Sequence, residues 1–169
     1  MTIKTIGVVG SGSMGTGIAH IAAQSGYEVI LNDVSEQALQ RSVAGIAAAF
    51  DKLIAKGKLT ETVKSETLAR IQITTELAAM AKADLVIEAI FENFDAKCDL
   101  LKKLDEICPD HTIFGSNTST MSITKMAAVT KRPDRFAGMH FFNPATVMRL
   151  VEVIRGYYTA DETVAALQT

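Results

Sequence analysis

Ile6-Gly7-Val8-Val9-Gly10-Ser11-Gly12-Ser13-Met14-Gly15 carries a short apolar run straight into three spaced glycines, and a helical pattern of small residues follows to Gln24. Glu28-Val29-Ile30-Leu31-Asn32-Asp33 is a second apolar run, ending in an acid 23 residues after Gly10. A glycine triplet alone says little. Strand, triplet, helix, second strand and terminal acid in that order are the setting a dinucleotide-binding βαβ unit requires. Gly10 permits the tight turn, Gly12 lets the backbone approach a pyrophosphate, and Gly15 lets the helix pack on the strand. The helix opening at Ser13 and Met14 turns N–H groups and a positive dipole end toward that pyrophosphate. Asp33 can accept both hydroxyls of an adenosine ribose and would repel a 2′-phosphate, and no arginine follows it directly. NAD is therefore expected rather than NADP. FAD, which uses the same fingerprint, is the lesser competitor.

Outward from this unit the alternation continues. Strands are expected at 71–74, 85–87, 112–114, 136–142 and 150–154, and helices at 76–82, 95–107 and 123–129. This is an α/β pattern with a mostly parallel sheet and helices on both faces. Two helices in succession, about 36–56 and 60–70, interrupt it. Ser35 and Thr60 can cap them, and together they read as a helical hairpin standing out from the sheet.

The chain has 169 residues, read as one domain over 1–169. Hydrophobic residues make up 48% and charged residues 21%, which fits an ordinary packed core. A net charge of -2 argues against a generally basic nucleic-acid surface. Cys98 and Cys108 form neither a metal spacing nor a disulfide framework, so no metal is expected. No apolar run approaches the ~20 residues of a membrane span, and the first residues lead directly into a strand without a signal peptide. A cytoplasmic location is expected.

Two further stretches carry chemistry: Gly115-Ser116-Asn117-Thr118-Ser119-Thr120, after a strand, and Gly138-Met139-His140-Phe141-Phe142-Asn143-Pro144, followed by Leu150-Val151-Glu152-Val153-Ile154. Ligands of open α/β sheets bind outside the carboxyl ends of strands, where Asn117 and Ser119 fall. His140 lies in an aromatic run that would shield it from water. Glu152 is a lone acid in an apolar run, costly to bury without a partner. A histidine is the natural one, its tautomer fixed by the carboxylate. His20, His111, both cysteines and the scattered methionines read as packing or surface residues.

These motifs resemble the L-3-hydroxyacyl-CoA dehydrogenase family, including its bacterial 3-hydroxybutyryl-CoA branch, over essentially the whole chain. The glycine fingerprint is widely shared, but Ser-Asn-Thr-Ser, His-Phe-Phe-Asn-Pro and Leu-Val-Glu-Val-Ile at these spacings are specific. The resemblance implies a Rossmann-type domain in which His140 is the catalytic base, Glu152 orients it, and Ser119 hydrogen-bonds the substrate's 3-oxygen. It implies Asn117 and Asn143 near the nicotinamide ribose and substrate, and Ala89, Glu92 and Lys97 along the cofactor. Thr120 stands where the family usually has a second serine. The implied reaction is reversible oxidation of (S)-3-hydroxyacyl-CoA by NAD to 3-oxoacyl-CoA. Lys52 and Lys56, four apart on one helix face, would meet the CoA nucleotide on the hairpin.

The resemblance further implies a second, helical domain that carries a substrate-binding asparagine and most of a homodimer interface. The present chain is expected to be a monomeric fragment that keeps the NAD site but shows very weak or no turnover. A non-catalytic NAD-binding module and a dehydrogenase of a free hydroxy acid such as gulonate are the alternatives.

Overall fold

A computed structural model describes residues 2–148 and 150–168. Met1 and Thr169, the ends of the expected domain, lie outside the described residues, as does Arg149. The glycine-containing turn joins β1 (Thr5–Val9) to α1 (Ser13–Gln24), and β2 (Glu28–Asn32) follows. Helices α2 (Glu36–Ile54) and α3 (Glu61–Ala69) then precede β3 (Ile71–Thr74), a 3₁₀ stretch (Leu77–Lys82) and β4 (Leu85–Glu88). The second half runs α4 (Phe94–Ile107), β5 (Ile113–Ser116), α5 (Ile123–Ala127), β6 (Phe136–Phe141), β7 (Val151–Arg155) and α6 (Asp161–Leu167).

The seven strands lie in the order β3-β2-β1-β4-β5-β6-β7. All neighbours are parallel except β7, which runs antiparallel to β6. Successive side chains of a strand point to opposite faces, and here both faces are apolar. Ile6 and Val8, Val29 and Leu31, and Leu85 and Ile87 join Ile18, Ala19 and Ala22 of α1 in one core. Val9, Ile30 and Val86 join Leu101 and Leu104 of α4 and Met126 of α5 in the other. Strand order reverses between β1 and β4, so their carboxyl ends open a crevice at a topological switch point.

The expected hairpin is present, with Ser35 accepting from the Ala38 amide and Thr60 from the Val63 amide as caps. Its inner face leans on α1. Thr16 Oγ1 lies 2.8 Å from Ser42 Oγ, and the His20 and Phe50 rings are 4.7 Å apart. Lys64 pairs with Asp51 across the two helices. His20 is buried and its Nε2 has no partner among the described residues; burial lowers its pKa. Both cysteines are free and buried, and burial pushes the Cys108 thiol up to about 11. Strand β4 extends one residue past the expected 87, so Glu88 belongs to the sheet and is fully buried.

Candidate active site

The turn between β1 and α1 is built as its glycines require. Gly10 has φ +103°, and a Cβ there would also meet the Ala89 carbonyl oxygen at 2.6 Å. A Cβ on Gly15 would stand 1.8 Å from the Gly10 carbonyl oxygen. At Gly12 a Cβ would meet nothing within 4 Å, so this backbone faces open space. Helix α1 has no side-chain cap and no acid in its first turn, which leaves its leading amides to an anion. Across the turn Asp33 is tied down. Its Oδ2 accepts from the Ser11 amide (2.7 Å) and hydroxyl (2.8 Å), and its Oδ1 from the Ser35 amide (3.0 Å). Burial pushes its pKa up, but these hydrogen bonds outweigh it and hold the carboxyl below its ordinary value.

Gly10, Gly12, Met14, Asp33, Ala89 and Glu92 line one cleft of ≈ 830 Å³, with Ser13, Lys97 and Asn117 also on its walls. An extended dinucleotide fits that donor set: carboxylate at one end, glycine turn and helix N-terminus in the middle. Lys97 departs from a simple cofactor contact. It is 1% exposed, and its ammonium is spent on Glu88 Oε1 (2.7 Å), Glu92 Oε2 (3.1 Å) and the Ile90 carbonyl (3.2 Å). Glu92 also accepts from the Thr118 and Thr120 hydroxyls. Desolvation raises its pKa, but these donors and the Lys97 ammonium outweigh that and leave it below its ordinary value.

A smaller cavity of ≈ 260 Å³ adjoins the cleft, sharing Met14, Glu92 and Asn117 with it. Ser119, His140 and Asn143 line it. His140 Nδ1 lies 2.9 Å from Glu152 Oε2, and the His140 ring packs on Phe142 at 4.6 Å. Asn117 Oδ1 accepts the Phe141 amide at 3.0 Å, which ties the end of β5 to the histidine strand. Asn143 precedes Pro144 through a cis peptide bond and is exposed.

The pair forms, but not for the expected reason. The Glu152 side chain is 51% exposed and that of His140 21%, so neither burial nor aromatic shielding forces them together. Strand register does: His140 and Glu152 are direct partners on β6 and β7. On the hairpin, α2 ends at Ile54 and Lys56 falls in the turn beyond it. It therefore shares no continuous helix face with Lys52, although both side chains are exposed. The residues that sequence reasoning passed over are Ser11, Glu88, Ser116 and Thr118. Glu88 carried a usable signal, a lone acid closing an apolar strand nine residues before a lysine.

Among the described residues no group of three or more histidines, cysteines or acids could hold a metal ion, and no helix is long and apolar enough to cross a membrane. The model of the 3-hydroxyacyl-CoA dehydrogenase NAD-binding domain matches residues 5–169. A 3-hydroxyadipyl-CoA dehydrogenase of Escherichia coli is 47% identical over 99% of this chain and 35% of its own. A probable 3-hydroxybutyryl-CoA dehydrogenase of Bacillus subtilis is 49% identical over 96% of this chain and 57% of its own. The crystal structure of (S)-3-hydroxybutyryl-CoA dehydrogenase from Ralstonia eutropha superposes with a TM-score of 0.97 at 51% identity, covering 99% of this chain and 59% of that one. The present chain thus spans little more than half of such relatives, or less. It belongs to the family of 3-hydroxyacyl-CoA dehydrogenase NAD-binding domains, with the Rossmann-type fold and NAD as its cofactor.

Proposed function

We propose that this chain is the cofactor-binding portion of an enzyme that oxidises (S)-3-hydroxyacyl-CoA, 3-hydroxybutyryl-CoA among them, to 3-oxoacyl-CoA and catalyses the reverse reduction. One observation carries the reading: the His140–Glu152 pair lines a cavity with Ser119 that continues into the dinucleotide cleft through Met14, Glu92 and Asn117. When bound, NAD supplies the acceptor for the hydride leaving C3. Glu152 holds the Nδ1–H of His140, which leaves Nε2 to take the proton of the 3-hydroxyl. The Ser119 hydroxyl donates to the same oxygen as it becomes a carbonyl. Asp33 fixes the adenosine ribose, and the first turn of α1 meets the pyrophosphate. Lys52 and Lys56 offer two exposed cations for the nucleotide phosphates of CoA.

The domain assignment over 1–169 belongs to the same proposal, as do a second helical domain and a homodimer built through it. Several large apolar side chains that follow Asn143 or lie on β7, the strand paired with that of His140, are exposed (Val147, Met148, Leu150, Val151, Ile154), which supports a covering domain there. Two free, buried cysteines suit a reducing compartment such as the cytoplasm.

Titration of the 169-residue chain with NADH and with acetoacetyl-CoA separately, then turnover with and without a relative's C-terminal domain fused to it, tests the reading. Saturable NADH binding with negligible turnover alone is expected. Absence of NADH binding would overturn the cofactor assignment, and near-normal turnover by the chain alone would overturn the need for a second domain.

A further inference from the structure

Glu88 closes β4 beneath the crevice and is 0% exposed. A carboxylate sealed from water demands partners for its lone pairs, and this one has them. Oε1 accepts from Lys97 Nζ at 2.7 Å and from the Ile90 amide at 2.8 Å, and Oε2 from Ser116 Oγ at 2.6 Å. The Glu88 carbonyl accepts the Asn117 amide at 2.9 Å. One residue therefore joins α4, the loop after β4, and the end of β5.

The partners lead in two directions, both into the half of the crevice away from Asp33. Through Lys97 the network reaches Glu92, which takes the Thr118 and Thr120 hydroxyls. Through Ser116, whose Oγ also accepts the Thr118 amide at 3.3 Å, and through Asn117, it reaches the Phe141 amide beside His140. Glu92 and Asn117 are two of the three residues shared by the cofactor cleft and the His140 cavity, the third being Met14 of α1. None of the hydrogen bonds of Glu88 reaches Ser11, Asp33 or the glycine turn.

We infer that Glu88 is a positioning residue for the nicotinamide end of the cofactor: its buried carboxylate holds Lys97, and through it Glu92, on one side, and the Ser116–Asn117–Thr118 segment on the other. The adenosine end is set independently by Asp33 and Ser11. The inference rests on the NAD reading above, because only a ligand with its reactive ring beside His140 would feel this network.

Two ligands separate the ends. NADH carries both, whereas ADP carries the adenosine and pyrophosphate without the nicotinamide or its ribose. Glu88→Gln keeps the shape of the side chain but removes the charge that answers Lys97. In this chain it is expected to weaken NADH binding about tenfold, the size of one lost charged hydrogen bond, and to change ADP binding less than about twofold. Ser116→Ala, which leaves the Glu88–Lys97 pair in place, is expected to move NADH binding in the same direction by a smaller factor. It decides the matter alone if Glu88→Gln does not fold. Equal loss of both ligands would make Glu88 a general structural prop and overturn the inference, as would unchanged NADH affinity. If the unmodified chain binds neither ligand, the NAD reading itself fails and takes the inference with it.

Discussion

His140 and Glu152 are direct partners across the β6–β7 ladder, and His140 Nδ1 lies 2.9 Å from Glu152 Oε2. Their meeting is a consequence of strand register. Side chains of a strand alternate between faces, so a slip of one residue would turn Glu152 to the other face and leave the imidazole without its orienting acid. A carboxylate on Nδ1 leaves Nε2 as the ring's acceptor, the state a general base needs.

In a full-length enzyme carrying this domain, His140→Ala is expected to lower kcat by about 10²–10⁴-fold, the usual contribution of a general base. Glu152→Gln keeps a hydrogen-bonding group but loses the charge that stabilises the imidazolium, and should lower kcat by a smaller factor. Neither should alter NADH affinity of the isolated domain, measured by fluorescence titration. Unchanged kcat after His140→Ala would remove the proposed base.

The glycine turn separates folding from binding. Gly15→Ala places a Cβ 1.8 Å from the Gly10 carbonyl oxygen, so α1 must move off β1, and both thermal midpoint and NADH affinity should fall. Gly12→Ala meets no atom within 4 Å beyond its immediate neighbours in the chain. Its stability cost should stay near that of a poorer helix cap, about 1 kcal/mol or less. NADH binding should nevertheless be lost, because the added methyl occupies the path of the pyrophosphate. A Gly12→Ala chain that binds NADH normally would contradict the cradle.

Asp33 gives a pH signature. Its folded-state pKa lies below the ordinary 3.8 because donors from Ser11 and Ser35 outweigh its desolvation. A depressed acid contributes stability that is fully present above the unfolded value and lost as pH falls through the folded one. Urea unfolding should therefore show Asp33→Asn less stable than the unmodified chain near neutral pH, with the gap closing below about pH 4. NADH affinity of the variant should drop by roughly ten- to a hundredfold, the range for one or two hydrogen bonds to a charged group. A stability gap that stays constant down to low pH would show that the carboxylate is not held by these bonds.

What could be read before folding was local and periodic. The β1 turn and the caps at Ser35 and Thr60 each depend on residues a few positions apart, and each is in place, whereas the hold on Asp33 comes largely from Ser11, 22 residues away. The two-sided sheet followed from apolar runs in which neighbouring residues such as Val8 and Val9 face different cores. Contacts set by tertiary register were less legible. A lone acid in an apolar strand does demand a partner, but the buried case is Glu88, whose strand is central, and not Glu152, whose strand lies at the edge of the sheet. No spacing along the chain distinguishes an edge strand from a central one. Only the resemblance put Lys97 along the cofactor, and its sequestration by two acids depends on where α4 docks.

The hairpin lysines offer a test of substrate class. Lys64 is engaged with Asp51 across the hairpin, whereas Lys52 and Lys56 are exposed. Reversing both to Glu should raise KM for acetoacetyl-CoA in the full-length enzyme by several-fold or more, the effect of replacing two screened cations by anions at a phosphate site. NADH affinity should not change, and a free hydroxy acid, having no nucleotide, should be used equally well by both proteins. An unaltered acetoacetyl-CoA KM would remove the hairpin from the CoA site.

Far from the cleft, Arg132 ties down the end of α4. It is 7% exposed, with Nε 2.7 Å from Asp105 Oδ1 and Nη2 donating to the Asp105 and Cys108 carbonyls at 3.0 and 3.1 Å. Nη1 donates to the Pro109 carbonyl, and the guanidinium lies 5.0 Å from the Phe114 ring centroid. The terminal carbonyls of a helix lack intrahelical partners, and here Arg132 serves that of Asp105 and that of the C-cap residue Cys108. Arg132→Met leaves the Asp105 carboxylate buried with only the Lys131 amide (2.8 Å). It should cost about 3–5 kcal/mol, as for other broken buried pairs. Arg132→Lys should recover little, because a single ammonium cannot reproduce a planar fork that serves four acceptors. Arg132→Met/Asp105→Leu should recover much of the loss by removing the stranded charge. Urea midpoints at neutral pH measure all three, and NADH affinity should stay constant in any variant that folds. A loss below about 1 kcal/mol for Arg132→Met would mean that water replaces the arginine.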